Sequence, residues 1–350
     1  MNRILITGGA GFIGSHTCLL FLQRGYKILV LDSFINSSIT SIERVKKIVE
    51  KEKKGKNIEI IQGDLRDNGF LKNVFAAYHN ENERIDAVIH FAGLKSVNES
   101  LINPIKYWEF NVMGTLNLLK VMNENNCNNL VFSSSATVYG ISNNEKLTEN
   151  CIIKPINTYG KTKASVEAIL EDLFYSENEK WRIANLRYFN PIGAHQSGLI
   201  GENPTGIPNN IFPLITQVAI GNIKKLKIFG NDWPTKDGTG IRDYIHVMDL
   251  AEGHLLALNY ILENKHQVLN LNLGTGVSTS VLELVNTFQE VNDVEVPYEI
   301  SQRRKGDYPY VVADINYAKK LFNWKPKFDL RKMCLDGWNW QKLNPNGYDN

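Results

Sequence analysis

A tyrosine and a lysine stand four positions apart in the stretch "TYGKTK", residues 158–163. The apolar residues that follow recur at helical spacing, so Tyr159 and Lys163 would share one face on the first turns of a helix. A free phenol has a pKa of about 10 and is a poor base at neutral pH. A neighbouring ammonium ion stabilises the phenolate and supplies part of the roughly 4 kcal/mol that a pKa near 7 requires. The pair therefore predicts general acid/base chemistry at a substrate hydroxyl.

Three consecutive serines, residues 133–135, end an apolar run in "FSSSATVYG". If that run is a parallel strand, its hydroxyl groups lie at the carboxyl end, where ligands bind in doubly wound sheets. Ser135 would then orient the substrate oxygen, and Tyr159 would take its proton as hydride leaves the adjoining carbon. Lys163 would hold a cofactor ribose and tune the phenol. A tyrosine and a lysine at this spacing also occur by chance, so the interpretation depends on the rest of the chain.

A glycine loop, "ITGGAGFIGSH", follows the first apolar run directly. Gly8, Gly11 and Gly14 are spaced three apart, which lets a backbone turn tightly and bring a pyrophosphate to a helix N-terminus. The second apolar run ends in Asp32, whose carboxylate would accept a hydrogen bond from a ribose hydroxyl and repel a 2′-phosphate. The loop predicts a dinucleotide site, and Asp32 favours NAD over NADP as the cofactor. With this site, the Tyr159 pair is better explained as the centre of a hydride-transfer reaction.

Six short runs rich in Ile, Val and Leu are predicted to be strands with helical segments between them. They cover residues 3–7, 27–32, 58–62, 86–92, 129–134 and 182–189. Most lack alternation, as strands buried on both faces do, and the spacers are long enough for crossover helices. This order of elements predicts an α/β fold with a doubly wound parallel (Rossmann) sheet.

The pattern loosens after Phe189, where Gly, Pro and Asn become frequent. We therefore expect an NAD-binding Rossmann domain over residues 1–189. Residues 190–350 would mainly form a smaller, mixed α/β C-terminal lobe that binds the substrate. A segment at about 241–271 is expected to return to the first domain.

The composition is that of an ordinary soluble protein. The chain has 350 residues, 43% of them hydrophobic, and a net charge of +2, which gives no reason to expect nucleic acid or a membrane surface as partner. The first apolar run ends in the glycine loop and no run could span a bilayer, so we expect a cytoplasmic location without a signal peptide. The few, widely spaced cysteines predict neither a metal site nor a redox pair, and they favour a reducing compartment; they are Cys18, Cys127, Cys151 and Cys334.

Longer stretches spread over nearly the whole chain carry a more specific pattern. They include "VIHFAGLKSVNES", "FSSSATVYG", "RYFNPIGAH", "IFGNDWPTKDGTGIRDYIHVMDLA" and "RRKGD". In these stretches the chain resembles the extended short-chain dehydrogenase/reductase family, and within it the UDP-hexose 4-epimerases. The resemblance implies that bound NAD takes hydride from C4 of a UDP-hexose and returns it to the opposite face. UDP-glucose and UDP-galactose would thus interconvert through a 4-keto intermediate.

The same resemblance implies a set of site residues. The catalytic set would be Ser135, Tyr159 and Lys163. The NAD site would be lined by Gly8, Gly11, Phe12, Ile13, Gly14, Asp32, Asn36, Ser37, Asp64, Leu65, Phe91, Ala92, Lys95, Asn111, Tyr159, Lys163 and Tyr188. The UDP-sugar would contact Ser135, Tyr159, Phe189, Asn190, Asn210, Arg242, Arg304, Asp307 and Val311. Forked arginine donors suit a diphosphate, although the two arginines could instead form salt bridges.

Three other functions remain open at this point. A 4,6-dehydratase or decarboxylase on the same fold would need an acid/base pair directly after Ser135, but Ala136 and Thr137 follow it. A UDP-glucuronate epimerase is a second alternative among the nucleotide-sugar short-chain dehydrogenase/reductases. A non-enzymatic NAD-binding regulator could dispense with the Tyr159–Lys163 pair, which this chain retains.

Position 311 bears on sugar preference. By the resemblance, epimerases limited to non-acetylated sugars carry a tyrosine there, and relatives that accept N-acetylhexosamines carry a smaller residue. Val311 would leave space for an acetamido group, so we expect activity on UDP-N-acetylglucosamine and UDP-N-acetylgalactosamine as well. Tyr310 should point the other way in an extended segment. The alternative is that another side chain closes the pocket.

Two apolar helical stripes, in residues 107–122 and 159–174, could pair with those of a second copy. The resemblance implies a homodimer of this kind. The alternative is that both stripes pack only on their own sheet.

Overall fold

A computed structural model describes residues 3–53, 57–80, 83–140, 146–176, 180–206, 208, 210–304 and 307–348. Its strands are β1 (Arg3–Thr7), β2 (Lys27–Asp32), β3 (Ile58–Gln62), β4 (Ile85–His90), β5 (Asn129–Ser135), β6 (Arg182–Tyr188), β7 (Asn190–Ile192), β8 (Leu226–Phe229), β9 (Ile241–Arg242), β10 (Tyr244–His246), β11 (Gln267–Leu273), β12 (Thr279–Ser280), β13 (Tyr298–Ser301) and β14 (Tyr310–Val311).

The α-helices alternate with the strands through much of the chain. They are α1 (Phe12–Gln23), α2 (Ile39–Lys51), α3 (Asn68–Ala77), α4 (Val97–Ile102), α5 (Pro104–Trp108), α6 (Gly114–Glu124), α7 (Thr158–Ser176), α8 (Ile211–Ala219), α9 (Val247–Glu263), α10 (Val281–Asn292), α11 (Asn316–Phe322) and α12 (Leu330–Leu343). A π-helical turn, Glu109–Met113, joins α5 to α6, and a 3₁₀ turn, Ala136–Val138, follows β5.

Contacts divide the chain into two compact units. The first comprises Met1–Gly140, Ile152–Arg187 and Ala251–Leu271, and the second comprises Ile141–Cys151, Tyr188–Leu250 and Asn272–Asn350. The first domain was predicted to cover residues 1–189 without interruption, whereas Ile141–Cys151 belongs to the second unit. The returning segment is also shorter, because it begins at Ala251 rather than near residue 241.

The first unit contains a seven-stranded sheet in the order β11-β6-β5-β4-β1-β2-β3. Strands β3, β2, β1, β4 and β5 pair in parallel, with Ile4 of β1 opposite Ile28 of β2. The predicted α/β fold with a doubly wound parallel sheet is confirmed. All six predicted strands form. Strand β4 ends two residues earlier than expected, because the amides of Phe91 and Ala92 both donate to the Thr7 carbonyl oxygen and the regular ladder stops there.

The core of the first unit explains why the central strands are apolar throughout. All five residues of β1 are buried. Apolar faces of α3, α6 and α7 cover the sheet, through Leu71, Leu118 and Leu170 among others. Each such side chain stabilises the fold by about 1.5–3 kcal/mol when it leaves water.

The second unit contains small sheets rather than one large one. Strand β9 lies between β12 and β14, β7 pairs with β10, and β8 pairs with β13. Its core is built around Phe212, Ile215, Phe288 and Trp338 from α8, α10 and α12. In the described parts of the chain, no helix has both the length and the apolar character needed to cross a bilayer.

Candidate active site

The start of helix α7 packs closely against the 3₁₀ turn that follows β5. A Cβ atom on Gly160 would lie 2.5 Å from the carbonyl oxygen of Thr137, so a larger residue at that position would push the two segments apart. The Asn157 side chain accepts a hydrogen bond from the Gly160 amide at 2.8 Å, as an N-cap does. These two contacts fix the first turn of α7, which carries Tyr159 and Lys163.

The structure brings the three predicted catalytic side chains together. Ser135 accepts hydrogen bonds from the amide and hydroxyl of Thr137 at 3.2 and 3.0 Å, and it also hydrogen-bonds to Tyr159. Lys163 Nζ donates to the carbonyl oxygen of Ser133 at 2.6 Å and lies 5.9 Å from the centroid of the Tyr159 ring. The serine hydroxyl and the phenol can therefore reach the same substrate oxygen.

The side chains around Tyr159 do not by themselves make it a base. Burial raises the pKa of the Tyr159 phenol to about 12, and only its hydrogen bond with Ser135 opposes that effect. Burial also lowers the pKa of the Lys163 ammonium to about 8, partly offset by the carboxylate of Glu167. Burial of the Lys163 ammonium beside the phenol therefore carries a desolvation cost. The predicted role of Lys163 in tuning the pKa of the phenol stays a prediction.

The glycine loop has the close contacts that a pyrophosphate-binding turn needs. Gly8 has a φ of +68°, and a Cβ there would meet the backbone nitrogen of Ala92 at 2.6 Å. A Cβ on Gly14 would lie 2.4 Å from the Gly8 carbonyl oxygen. Gly11 is the N-cap of α1 and provides no side-chain cap, so the helix N-terminus presents backbone amides, as an anion site does. The loop fits the phosphates of a dinucleotide, with Phe12 and Ile13 in the first turn.

Asp32 is buried at the end of β2 and is held in place by three donors. Its Oδ2 accepts from the amide of Ala10 at 2.9 Å, and its Oδ1 accepts from the amide of Phe34 and the hydroxyl of Ser37 at 3.0 and 2.8 Å. A carboxylate can accept about four hydrogen bonds, which leaves capacity for a ribose hydroxyl. Its negative charge disfavours a 2′-phosphate. Asn36 is exposed beside it.

Two further predicted cofactor residues follow β3. The carboxylate of Asp64 is bound by the guanidinium of Arg66, with Nε–Oδ1 and Nη2–Oδ2 distances of 3.0 and 2.7 Å. Arg66 in turn lies over the ring of Phe110 at 3.7 Å. The bound arginine lowers the pKa of Asp64. Leu65 is buried.

The loop after β4 is organised by Asn111. Its Oδ1 accepts from the amide of Leu94 at 2.7 Å, and its Nδ2 donates to the Leu94 carbonyl and the Thr162 hydroxyl at 3.0 and 3.1 Å. The π-helical turn that contains Asn111 places it there, and such turns often occur at functional sites. Asn111 therefore ties the loop bearing the predicted residues Phe91, Ala92 and Lys95 to α7.

In the second unit, the predicted diphosphate-binding arginines surround one carboxylate. Arg304 Nε donates to Asp307 Oδ2 at 2.9 Å, and Arg242 Nη2 lies 3.9 Å from Asp307 Oδ1. Arg242 in β9 pairs in register with Val311 in β14. The structure thus brings these four predicted substrate residues into one region, where the arginines also make the salt bridges considered above.

Asn190 and Asn210 are held by separate contacts within the second unit. Asn190 Nδ2 donates to the carbonyl oxygen of Asp243 at 3.1 Å, and Asn210, the N-cap of α8, donates through Nδ2 to Glu202 Oε1 at 3.1 Å. Tyr188 and Phe189 are buried just before β7.

Asp243 is a buried residue that the sequence analysis missed. Its carboxylate accepts from the amides of Thr275, Gly276 and Ala313 at 2.7, 2.8 and 3.1 Å. It thereby fixes the backbone on both sides of β9, where Arg242 lies. In the sequence, Asp243 is a single aspartate next to Arg242, and no pattern around it indicates that it would bind these backbone amides.

The buried pair Glu167 and Arg187 was also missed. Glu167 comes one turn after Lys163 on α7, and this spacing could have marked it. The position of Arg187 beside it depends on the pairing of strands and could not be read from the sequence.

Comparisons with known proteins place the chain in a family. The family model described as GDP-mannose 4,6 dehydratase matches residues 5–336. The UDP-glucose 4-epimerase of Bacillus subtilis (strain 168) is 51% identical over 345 residues, which cover 99% of this chain and 98% of that protein. The chain belongs to the UDP-glucose 4-epimerase family. The predicted membership of the extended short-chain dehydrogenase/reductases is confirmed.

Solved structures of UDP-glucose 4-epimerases have the same fold. The enzyme from Stenotrophomonas maltophila, with bound NAD and formylated UDP-arabinopyranose, has a TM-score of 0.93 at 42% identity and covers 99% of both chains. The enzyme from Bifidobacterium longum, in complex with NAD+ and UDP, has a TM-score of 0.92 at 44% identity, covering 99% of this chain and 100% of the other.

The description of the matching family model does not make the chain a dehydratase. In this chain Ser135 is followed directly by the 3₁₀ turn Ala136–Val138, which contains no carboxylate. The acid/base pair that a dehydratase needs after the serine is therefore missing from that turn.

Proposed function

We propose that this member of the UDP-glucose 4-epimerase family interconverts UDP-glucose and UDP-galactose, using NAD as a tightly held cofactor. When bound, NAD supplies a reversible hydride acceptor for C4 of the hexose. The observation that carries the proposal is the grouping of Ser135, Tyr159 and Lys163 in the same unit as a glycine loop that fits a dinucleotide. The epimerase relatives support the same reaction.

The side chains of the first unit would manage the proton. Tyr159 takes the proton of the C4 hydroxyl as the 4-keto sugar forms and returns it when the sugar is reduced on the opposite face. Ser135 hydrogen-bonds to the same oxygen and fixes its direction. Lys163 supplies a positive charge beside the phenol, which favours the phenolate during the transfer.

The second unit would hold the nucleotide. Arg242 and Arg304 offer forked donors to the diphosphate, and Asp307 accepts hydrogen bonds from the uridine ribose. Both arginines lie near Asp307, at N–O distances of 3.9 Å for Arg242 and 2.9 Å for Arg304, which places the three side chains together.

The test is an assay without added cofactor. Purified protein incubated with UDP-galactose should form UDP-glucose, detected by chromatography, because the cofactor stays bound. A 4-keto-6-deoxy product would identify a dehydratase, turnover of UDP-glucuronate alone would identify a glucuronate epimerase, and no product after added NAD would support a binding protein. Each of these results contradicts the proposal.

Activity on the N-acetylated pair is proposed from Val311. Its side chain is half-buried, and the neighbouring Tyr310 donates its hydroxyl hydrogen to the carbonyl oxygen of Pro234 at 3.0 Å. That bond holds the tyrosine ring to another loop, so Tyr310 does not take the place of the smaller Val311 side chain. Wild-type protein should convert UDP-N-acetylgalactosamine at millimolar concentration, and an absence of product would contradict this proposal.

A homodimer is proposed from the exposed apolar residues of α4, α5, the π-helical turn and α6. These residues are Leu101, Ile102, Ile105, Trp108, Met113 and Leu116. Apolar groups gathered on neighbouring helices favour burial against a second copy. Light scattering at micromolar concentration should give twice the chain mass of 39.7 kDa; the mass of a single chain would contradict the proposal. The cytoplasmic location stays a prediction.

A further inference from the structure

An ion pair between Glu167 and Arg187 is buried in the first unit. Arg187 Nε donates to Glu167 Oε1 at 3.0 Å and Arg187 Nη2 donates to Oε2 at 2.7 Å, and the two side chains are 3% and 8% exposed. Replacing such a pair with apolar residues is often neutral or stabilising, because removing two charges from water is costly. Stability alone therefore gives little reason for charges at this place.

The remaining contacts of the pair lead to the catalytic strand. The Ser134 hydroxyl donates to Glu167 Oε1, and Arg187 Nη1 donates to the Tyr139 hydroxyl at 2.9 Å. Ser134 directly precedes Ser135 in β5, and Glu167 lies on α7. The pair thus connects β6, β5 and α7 beneath the residues that carry the chemistry.

Lys163 lies one helical turn before Glu167. Its ammonium group is buried, donates to the Ser133 carbonyl oxygen, and lies 4.8 Å from the centroid of the Phe132 ring. Burial lowers the pKa of Lys163 to about 8, and the Glu167 carboxylate acts in the opposite direction.

Two other titratable groups of the described chain face this ammonium. His90, in β4, is buried and has its pKa lowered to about 3 by burial and by the charge of Lys163, so the imidazole is neutral at pH 7. Tyr159 lies on the same helix and presents its ring at 5.9 Å. Its phenol, with a pKa raised to about 12, is also neutral there. Glu167 is thus the negative charge that acts on Lys163 at pH 7, and Arg187 faces Glu167 from β6.

We propose that Glu167, held in place by Arg187, is a positioning residue that keeps Lys163 protonated and aligned beside Tyr159. The inference rests on the proposed epimerase function for its catalytic meaning. The effect of Glu167 on the pKa of Lys163 can be measured without any turnover of substrate. The two hydrogen bonds from Arg187 hold the Glu167 carboxylate in one position, from which its charge acts on Lys163.

The experiment measures the pKa of Lys163 by NMR of protein labelled with ¹³Cε-lysine, with Lys163→Arg used to assign the resonance. In Glu167→Gln the pKa should fall by about one unit, because the carboxylate is lost and the Arg187 cation remains. The alkaline limb of the kcat profile with UDP-galactose should move to lower pH by the same amount. In the control Glu171→Gln, which removes an exposed carboxylate from the next turn, both values should stay within about 0.2 unit of wild type.

A variant with a lone buried arginine could fail to fold, so the double variant Glu167→Gln/Arg187→Met is measured in parallel. It removes both charges of the Glu167–Arg187 pair, so neither partner is left unpaired, and its Lys163 pKa should also lie below the wild-type value, by less than in the single variant. If the folded variants lose turnover while the Lys163 pKa and the alkaline limb are unchanged, Glu167 has only a packing role and the inference is wrong. If the pKa falls as expected but wild-type protein has no epimerase activity, the proposed function fails and the electrostatic link stands.

Discussion

The hydroxyl oxygen of Ser100 accepts a hydrogen bond from the backbone amide of Tyr159 at 3.1 Å, across 59 positions of the chain. Ser100 is fully buried and donates its own hydrogen to the carbonyl oxygen of Val97 at 2.6 Å. The first amides of a helix have no partner within the helix, so Ser100 satisfies one of them at the proposed acid/base residue. A residue of α4 thereby helps to fix the end of α7 that carries Tyr159.

Replacing Ser100 with alanine should therefore affect both stability and turnover. We expect Ser100→Ala to lower the free energy of unfolding by about 1 kcal/mol, as the loss of a cap does, and to lower kcat because the Tyr159 ring is less well held. Urea unfolding and steady-state kinetics measure the two effects. Ser176→Ala, at the exposed C-terminal end of the same helix, is the control and should change neither. An unchanged kcat in a destabilised Ser100 variant would show that the bond serves the fold alone.

Replacing Tyr159 with phenylalanine should remove the acid/base oxygen and leave the fold intact. Turnover of UDP-galactose is expected to fall by at least ~10²-fold, the scale of general acid/base catalysis. Bound NAD, measured by release on denaturation, should remain. The matched control is Tyr175→Phe on the exposed face of the same helix, which should retain wild-type turnover. Near-normal turnover in folded Tyr159→Phe would refute the assignment.

The glycine loop can be tested by adding one methyl group. In Gly14→Ala the new Cβ would lie 2.4 Å from the Gly8 carbonyl oxygen, a backbone atom that cannot give way without moving the loop. We expect a loss of about 1–3 kcal/mol in stability and purification without NAD. In Gly69→Ala, within α3, the nearest atom lies at an ordinary 3.4 Å, so stability should be unchanged or slightly higher. Full NAD content in the Gly14 variant would count against this loop as the pyrophosphate site.

Lys163 should make stability depend on pH in a defined direction. Burial lowers its pKa from 10.5 to about 8 in the folded chain, so between these values the unfolded chain binds more protons and wild-type stability rises with pH. Lys163→Met lacks this dependence. The free energy of unfolding of the variant minus that of wild type should therefore decrease by about 3 kcal/mol from pH 8 to 10.5. Urea unfolding at intervals across this range gives the difference, and a constant difference would show that the ammonium is not destabilised in the fold.

Val311→Tyr should separate the two proposed substrate pairs. The larger side chain is expected to suppress turnover of UDP-N-acetylgalactosamine by about 10-fold or more and to spare UDP-galactose, since the acetamido group needs the space. The ratio of the two kcat/KM values measures the effect. Tyr310→Phe removes only the hydrogen bond to Pro234 and serves as the control on the adjacent residue. A parallel loss on both substrates would mean that position 311 affects the lobe as a whole.

Much of this protein could be predicted from local patterns in the sequence. Runs of Ile, Val and Leu located the strands because residues buried on both faces of a sheet must be apolar. The glycine spacing located the turn before α1, since it depends on backbone geometry over a few residues. The spacing of Tyr159 and Lys163 predicted a shared helix face for the same reason, and the structure places both with Ser135.

Contacts between distant residues were decided only by the tertiary structure. Such contacts depend on how strands pair and helices pack, which no local period in the sequence encodes. Examples are the Ser100–Tyr159 hydrogen bond, the ion pair of Arg187 with Glu167, and the hydrogen bonds from three backbone amides to the Asp243 carboxylate. The pKa values of the site residues also depend on the tertiary structure. Tyr159 and Lys163 have ordinary pKa values as isolated residues, and burial among particular neighbours moves the two in opposite directions, because in each case it disfavours the charged form.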